Sequence, residues 1–189
     1  VYKRQEQRRA LIDGSLVAGV YEKAVDRESA YEVLRAETGV EINRGELRLE
    51  QGMYVTDDVT VILSLVGAVE GTVFYSMNRP AAVRFASIML GESLSELDGL
   101  AQSGIAEIGN VITGRASMKL SENGYESNIS TPSLILGKGA SISTLDYPRL
   151  VVPLVTDAGS VEIHLALREG KRGLKTPQIP VPNVKAVSG

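Results

Sequence analysis

Residues 103–114 read Ser-Gly-Ile-Ala-Glu-Ile-Gly-Asn-Val-Ile-Thr-Gly, and their spacing constrains the fold more than any other part of the chain. At about 100° per residue, Ser103, Glu107, Asn110, Gly114 and Ser117 share one stripe of a helix. Ala101, Ile105, Ile108, Ile112 and Ala116 share the opposite stripe, which must face a core. The first stripe is small and polar, with no Lys or Arg between Ser103 and Gly114. A second surface can therefore come close to a carboxylate and a carboxamide one turn apart on a rigid rod. Gly99, Gly104, Gly109 and Gly114 each cost a helix interior about 1 kcal/mol relative to Ala, which points to close approach of backbone or partner along it. The helix is expected from about Ser95 to Glu122, with Ser93 or Ser95 as cap, Glu96 and Asp98 near its positive end, and Gly124 as its stop. A break near Gly99 is the alternative.

The flanking sequence alternates between the two periods. Asp26 to Glu37 reads as a helix that Asp26 can cap and Gly39 can end. Glu41 to Leu49 alternates, with Leu47 and Leu49 on one side. Asp58–Val66 is rich in β-branched residues and reads as a buried strand, with Thr72–Met77 returning beside it after a turn bracketed by Gly67 and Gly71. Pro80 opens a helix that ends near Gly91 and buries Val83, Ile88, Met89 and Leu90. Residues 128–136 form an edge or bulged strand interrupted by Pro132. Arg149–Val155 and Ser160–Leu167 form a second hairpin around Asp157-Ala-Gly159, an echo of residues 59–77 that suggests a pseudo-repeat. The fold expected is an α/β (α+β) sandwich, a mostly antiparallel sheet with the long helix packed on it.

Composition removes several classes of function. At 189 residues and 43% hydrophobic content, the chain suffices for one domain with a core. A net charge of −3 disfavours nucleic acid and anionic membranes as partners. There is no Cys and a single His, which leaves little for thiolate metal sites, zinc catalysis or a His-based triad. No apolar run approaches the ~20 residues of a membrane span, so the cytoplasm is the expected compartment. His164 falls on the outward alternation of its strand and is expected in solvent. Gly137-Lys-Gly139 reads as a turn, Asp57-Asp58 as structural acids, Tyr75 and Tyr125 as packed rings with wet hydroxyls, and Arg79 and Lys119 as solvated. Residues 1–25 are expected to be an upstream remnant, with 1–5 matching the translation of a transposase-type sequencing adapter; native codons at the source locus would refute that. The domain is expected over 26–168, followed by a disordered tail over 169–189.

The pattern Ser103-x-x-x-Glu107-x-x-Asn110-x-x-x-Gly114 resembles the signature helix of the CheC/CheX/FliY family of chemotaxis phosphatases. Leu120-x-x-x-Gly124-Tyr125, Ser130-Thr-Pro132, the Gly137 turn, the strand–Gly–strand of 59–77 and Met89-x-Gly91 are similar to the same family. CheC-type members carry two Glu-x-x-Asn helices. Here the helix at 80–90 has neither Glu nor Asn, so the resemblance is to the single-site CheX type. The Asn-Pro-Phe often seen at the start of the first helix in CheX-like proteins is absent. The resemblance implies a phosphatase acting on the aspartyl phosphate of a phosphorylated CheY-like response regulator. It implies that Asn110 holds the attacking water and that Glu107 pairs with the regulator's active-site lysine. Ser103, Ala106, Gly114 and Ser117 would line the partner surface. It further implies a homodimer, and Mg2+ supplied by the regulator with no cofactor in this chain. The alternative is a non-catalytic module of the CheC or flagellar-switch kind that docks a regulator without hydrolysing it.

Overall fold

The computed structural model describes residues 41–144 and 148–170, together with Arg35 and Gly39. The β-branched run folds as the long strand β4 (Val59–Gly67) and pairs antiparallel with β5 (Val69–Met77), in register from Val59↔Met77 to Leu65↔Gly71. Gly71 thus lies inside β5, not in the turn, with neighbouring backbone so close that a Cβ would strike Ala166 O. The second hairpin is β9 (Arg149–Thr156) and β10 (Gly159–Glu169). The two hairpins sit side by side, joined through an antiparallel β5–β10 pair running from Val161↔Met77 to Glu169↔Val69.

Both sheet edges are broken strands. On β9, β1 (Ile42–Arg44) and β2 (Arg48–Glu50) pair in turn, with Gly45 N donating to Pro153 O between them. On β4, β6 (Ser127–Ile129) and β7 (Ser133–Leu136) do the same, separated by the segment that holds Pro132, where a ladder N–H is missing. Among the described residues the sheet has eight strands, with β1, β9, β10, β5, β4 and β6 in order across it, and every pairing is antiparallel.

Among the described residues, two helices lie on one face. The helix α1 (Arg79–Leu90) begins after Asn78, whose side chain accepts from Ala81 N, and has Pro80 in its first turn. It ends at Gly91, with φ +66°. It buries Ala81, Ala82, Phe85 and Ala86, whereas Ile88 is exposed and Val83, Met89 and Leu90 are half-buried. The expected face was the bulkier one. The buried face instead centres on Phe85, which three alanines flank. The helix α2 (Gly99–Glu122) is unbroken, and its cap is Asp98, not Ser93 or Ser95.

The other face is partly covered by a two-stranded ribbon, β3 (Tyr54–Val55) with β8 (Ser141–Ile142). Under it, Tyr54 stacks on Phe74 at 4.4 Å and meets His164 edge-on at 4.9 Å. His164 is only 5% exposed, so the expectation of a solvated His is overturned: its strand face is covered by this ribbon. The Gly137–Gly139 turn is anchored as expected of a structural element, with Lys138 on Asp57 (3.1 Å) and Asp58 (3.5 Å). Gly39 has φ +66° and donates to Arg35 O, as the end of a helix does. The rest of the helix expected over 26–37, the N-terminal remnant and the tail beyond Gly170 lie outside the described residues. Glu169, expected to start the tail, closes β10.

Candidate functional site

The site is built on α2. Asp98 Oδ1 accepts from Ala101 N at 2.8 Å and satisfies a first-turn donor. Ala101, Ile105, Ile108 and Ile112 are all buried, as the apolar stripe requires. Gly109 lies flat on the sheet: a Cβ there would sit 3.0 Å from Val61 Cγ1, 3.2 Å from Leu63 Cδ1 and 3.3 Å from Tyr75 Cδ2. Gly104 and Gly114 have ordinary clearance, and Gly99 is the first helical residue with nothing near it. Of the four helix glycines, only Gly109 is needed for close approach.

With that side pinned, the opposite side points outward. Glu107 is exposed and Asn110 half-buried, and the Asn110 Nδ2 donates to Glu107 Oε2 at 3.4 Å. That bond is long enough to be given up readily to an incoming group. Ser103 is exposed, its hydroxyl folded back onto Gly99 O at 2.9 Å. Ala106 and Gly114 are half-buried beside the pair.

Ser117 leaves this surface. It is 8% exposed, and its hydroxyl donates to Ser127 O at 2.8 Å, so it ties α2 to β6 and is not available to a partner. The exposed line continues instead to Met118, 66% exposed, and begins at Leu100, 51% exposed. Reading for polar residues passes over both. Their signal is positional, since they stand three residues before Ser103 and four after Gly114.

Tyr75 also differs from expectation. Its hydroxyl is not wet but buried, 2.8 Å from Thr113 Oγ1. Lys119 is half-buried and lies 3.5 Å from Glu122, while Arg79 is exposed. Among the described residues, no group of three or more His, Cys, Asp or Glu could hold a metal ion. The outward turn of α2 thus offers a carboxylate and an amide with both donor and acceptor capacity.

The chemotaxis phosphatase CheX family matches residues 59–155. The chain is 27% identical over 143 residues to the CheY-P phosphatase CheX of Thermotoga maritima, covering 75% of this chain and 92% of that protein. A CheX–CheY–BeF3–Mg2+ complex from Borrelia burgdorferi contains a similar chain: TM-score 0.65, 29% identity, 80% of this chain and 97% of that one covered. The chemotaxis protein CheX from Desulfovibrio desulfuricans shares the fold, with TM-score 0.68, 22% identity, and 80% and 99% of the two chains covered.

Proposed function

This chain belongs to the family of the chemotaxis phosphatase CheX, and on that premise we propose that it hydrolyses the aspartyl phosphate of a phosphorylated CheY-like response regulator. The observation that carries the reading is the outward turn of α2, where Glu107 is exposed and Asn110 stands beside it. In this mechanism water attacks phosphorus in line with the bond to the regulator's aspartate. That bond breaks, the carboxylate leaves, and inorganic phosphate departs as the water's proton passes to solvent. Asn110 holds the water through an amide that both donates and accepts. Glu107 forms an ion pair with the regulator's active-site lysine and fixes the docking. Ser103, Ala106 and Gly114 let the two surfaces meet, and Leu100 and Met118 supply apolar contact at the ends of the stripe.

Mg2+ belongs to the regulator in this proposal, a reading supported by the Mg2+-containing CheX–CheY complex from Borrelia burgdorferi. No helix among the described residues is long and apolar enough to cross a membrane, and the cytoplasm is the proposed compartment. The family resemblance extends the proposal to a homodimer, which sedimentation equilibrium decides.

The test is phosphate release from a radiolabelled CheY-type regulator. Catalytic amounts of the chain are expected to accelerate release well beyond the regulator's own decay. Glu107→Ala is expected to weaken binding and slow turnover together. A chain that binds the regulator and leaves its decay unchanged is instead the non-catalytic docking module.

A further inference from the structure

We infer that Tyr75 and Thr113 are positioning residues for the Glu107–Asn110 turn, setting the roll of α2 about its own axis through one buried hydroxyl relay. The inference rests on the reading that this turn is the working surface. The Thr113 hydroxyl donates to Gly109 O at 2.8 Å, and its oxygen lies 2.8 Å from the Tyr75 hydroxyl. A threonine hydroxyl has one hydrogen, and Gly109 O receives it, so the phenol of Tyr75 donates to Thr113. Tyr75 is on β5, in the middle of the sheet, paired with Val61 of β4 and Ile163 of β10. The relay therefore runs from the sheet's centre to the backbone of Gly109, two residues after Glu107 and one before Asn110. Tyr75 is 3% exposed and Thr113 3% exposed, so water does not compete for the bonds.

Packing of Ile105, Ile108 and Ile112 seats α2 on the sheet, and the relay adds direction at the turn itself. Gly109 has no side chain to interlock with its neighbours. A small apolar void lies under the same turn, lined by Tyr75, Phe85, Ile105, Ile108, Gly109 and Ile112 among others. Where partner atoms are missing, dispersion contacts are lost, and those that remain carry little directional preference. Hydrogen bonds do carry it. A change in roll moves the tips of Glu107 and Asn110 more than it moves the axis, because both project outward from it. Misplacement by about 1 Å can cost a positioned reaction a hundredfold.

The full chain carrying Thr113→Val, Thr113→Ser or Tyr75→Phe tests this, with folding followed by circular dichroism. Turnover is measured on the phosphorylated regulator, and affinity is measured separately for the beryllofluoride-activated form. Thr113→Val and Tyr75→Phe are expected to lower kcat about tenfold with KM nearly unchanged. Thr113→Ser, which keeps the hydroxyl, is expected to restore the parent value. Parent kcat in both Thr113→Val and Tyr75→Phe, while Asn110→Ala loses turnover, overturns the inference and leaves the proposed function standing. If Asn110→Ala leaves turnover untouched, the catalytic reading falls, and the relay is judged by NMR alone. The side-chain amide of Asn110 should then shift and lose order in Thr113→Val and recover in Thr113→Ser; identical spectra overturn the inference.

Discussion

Burial under the β3–β8 ribbon holds the imidazole of His164 below its ordinary pKa of 6.5. Desolvation is the main cause; Glu50 and Glu162 pull the other way, and Arg149 and Arg48 add to the lowering. Tyr54 packs edge-on against the ring, and Nδ1 has no hydrogen-bond partner among the described residues. The unfolded chain therefore binds a proton near pH 6.5 that the folded chain refuses. Stability from this group is complete above that pH and is lost as acid is added below it. One such proton changes stability by at most about 1.4 kcal/mol per pH unit. Urea midpoints between about pH 7 and pH 5.5 should fall further for the parent than for His164→Gln. Equal falls would show that His164 is not the group responsible. The same residue marks where local reading fails. Alternation places His164 and Phe74 on one face of the sheet, and that face looks outward only if nothing covers it. The cover is a ribbon of two residues per strand, too short for any periodic signal. Phe74 and Ile62 on the same face are the hint, since a wet face rarely carries both.

At the scale of elements, α2 separates two kinds of helix glycine. Gly104 would place a Cβ 3.8 Å from Leu90 and 3.9 Å from Ala86, ordinary contact distances. Gly104→Ala is therefore expected to stabilise the protein by about 0.5–1 kcal/mol through helix propensity. Gly109→Val adds three carbons where even one stands 3.0 Å from Val61, and is expected to cost about 1–3 kcal/mol by overpacking. Chemical denaturation reads both, and the same sign for the two variants would refute this view of the packing. The helix itself was legible because its isoleucines recur at a strict helical interval. Its start was not, because Ser93, Ser95 and Asp98 are all good caps and only the chain's path selects among them. Ser117 was misplaced for a related reason. Angular position puts it with Glu107 and Asn110, but β6 arrives on that side and takes its hydroxyl. The middles of β4, β5, β9 and β10 were legible, because each carries a buried face long enough to show its period, whereas the start of β5 up to Gly71 read as turn and the end of β10 at Glu169 read as tail.

Among the described residues, one broad antiparallel sheet is the base on which α1 and α2 are mounted side by side. Its two long hairpins meet at the β5–β10 pair, and Tyr75 of that pair reaches α2 directly. The sheet supplies rigidity, α2 supplies reach, and the proposed chemistry lies on the outward turn. In that proposal a partner carrying a charged, metal-bound phosphate meets one carboxylate and one amide there. The central claim is that Asn110 aims water at a phosphoryl group held by another protein. Single-turnover decay of a phosphorylated CheY-type regulator, with the chain in saturating excess, tests it without interference from binding. For Asn110→Ala, decay should return to the regulator's own rate while affinity for the beryllofluoride-activated regulator stays at the parent value. Decay as fast as with the parent chain would contradict the account.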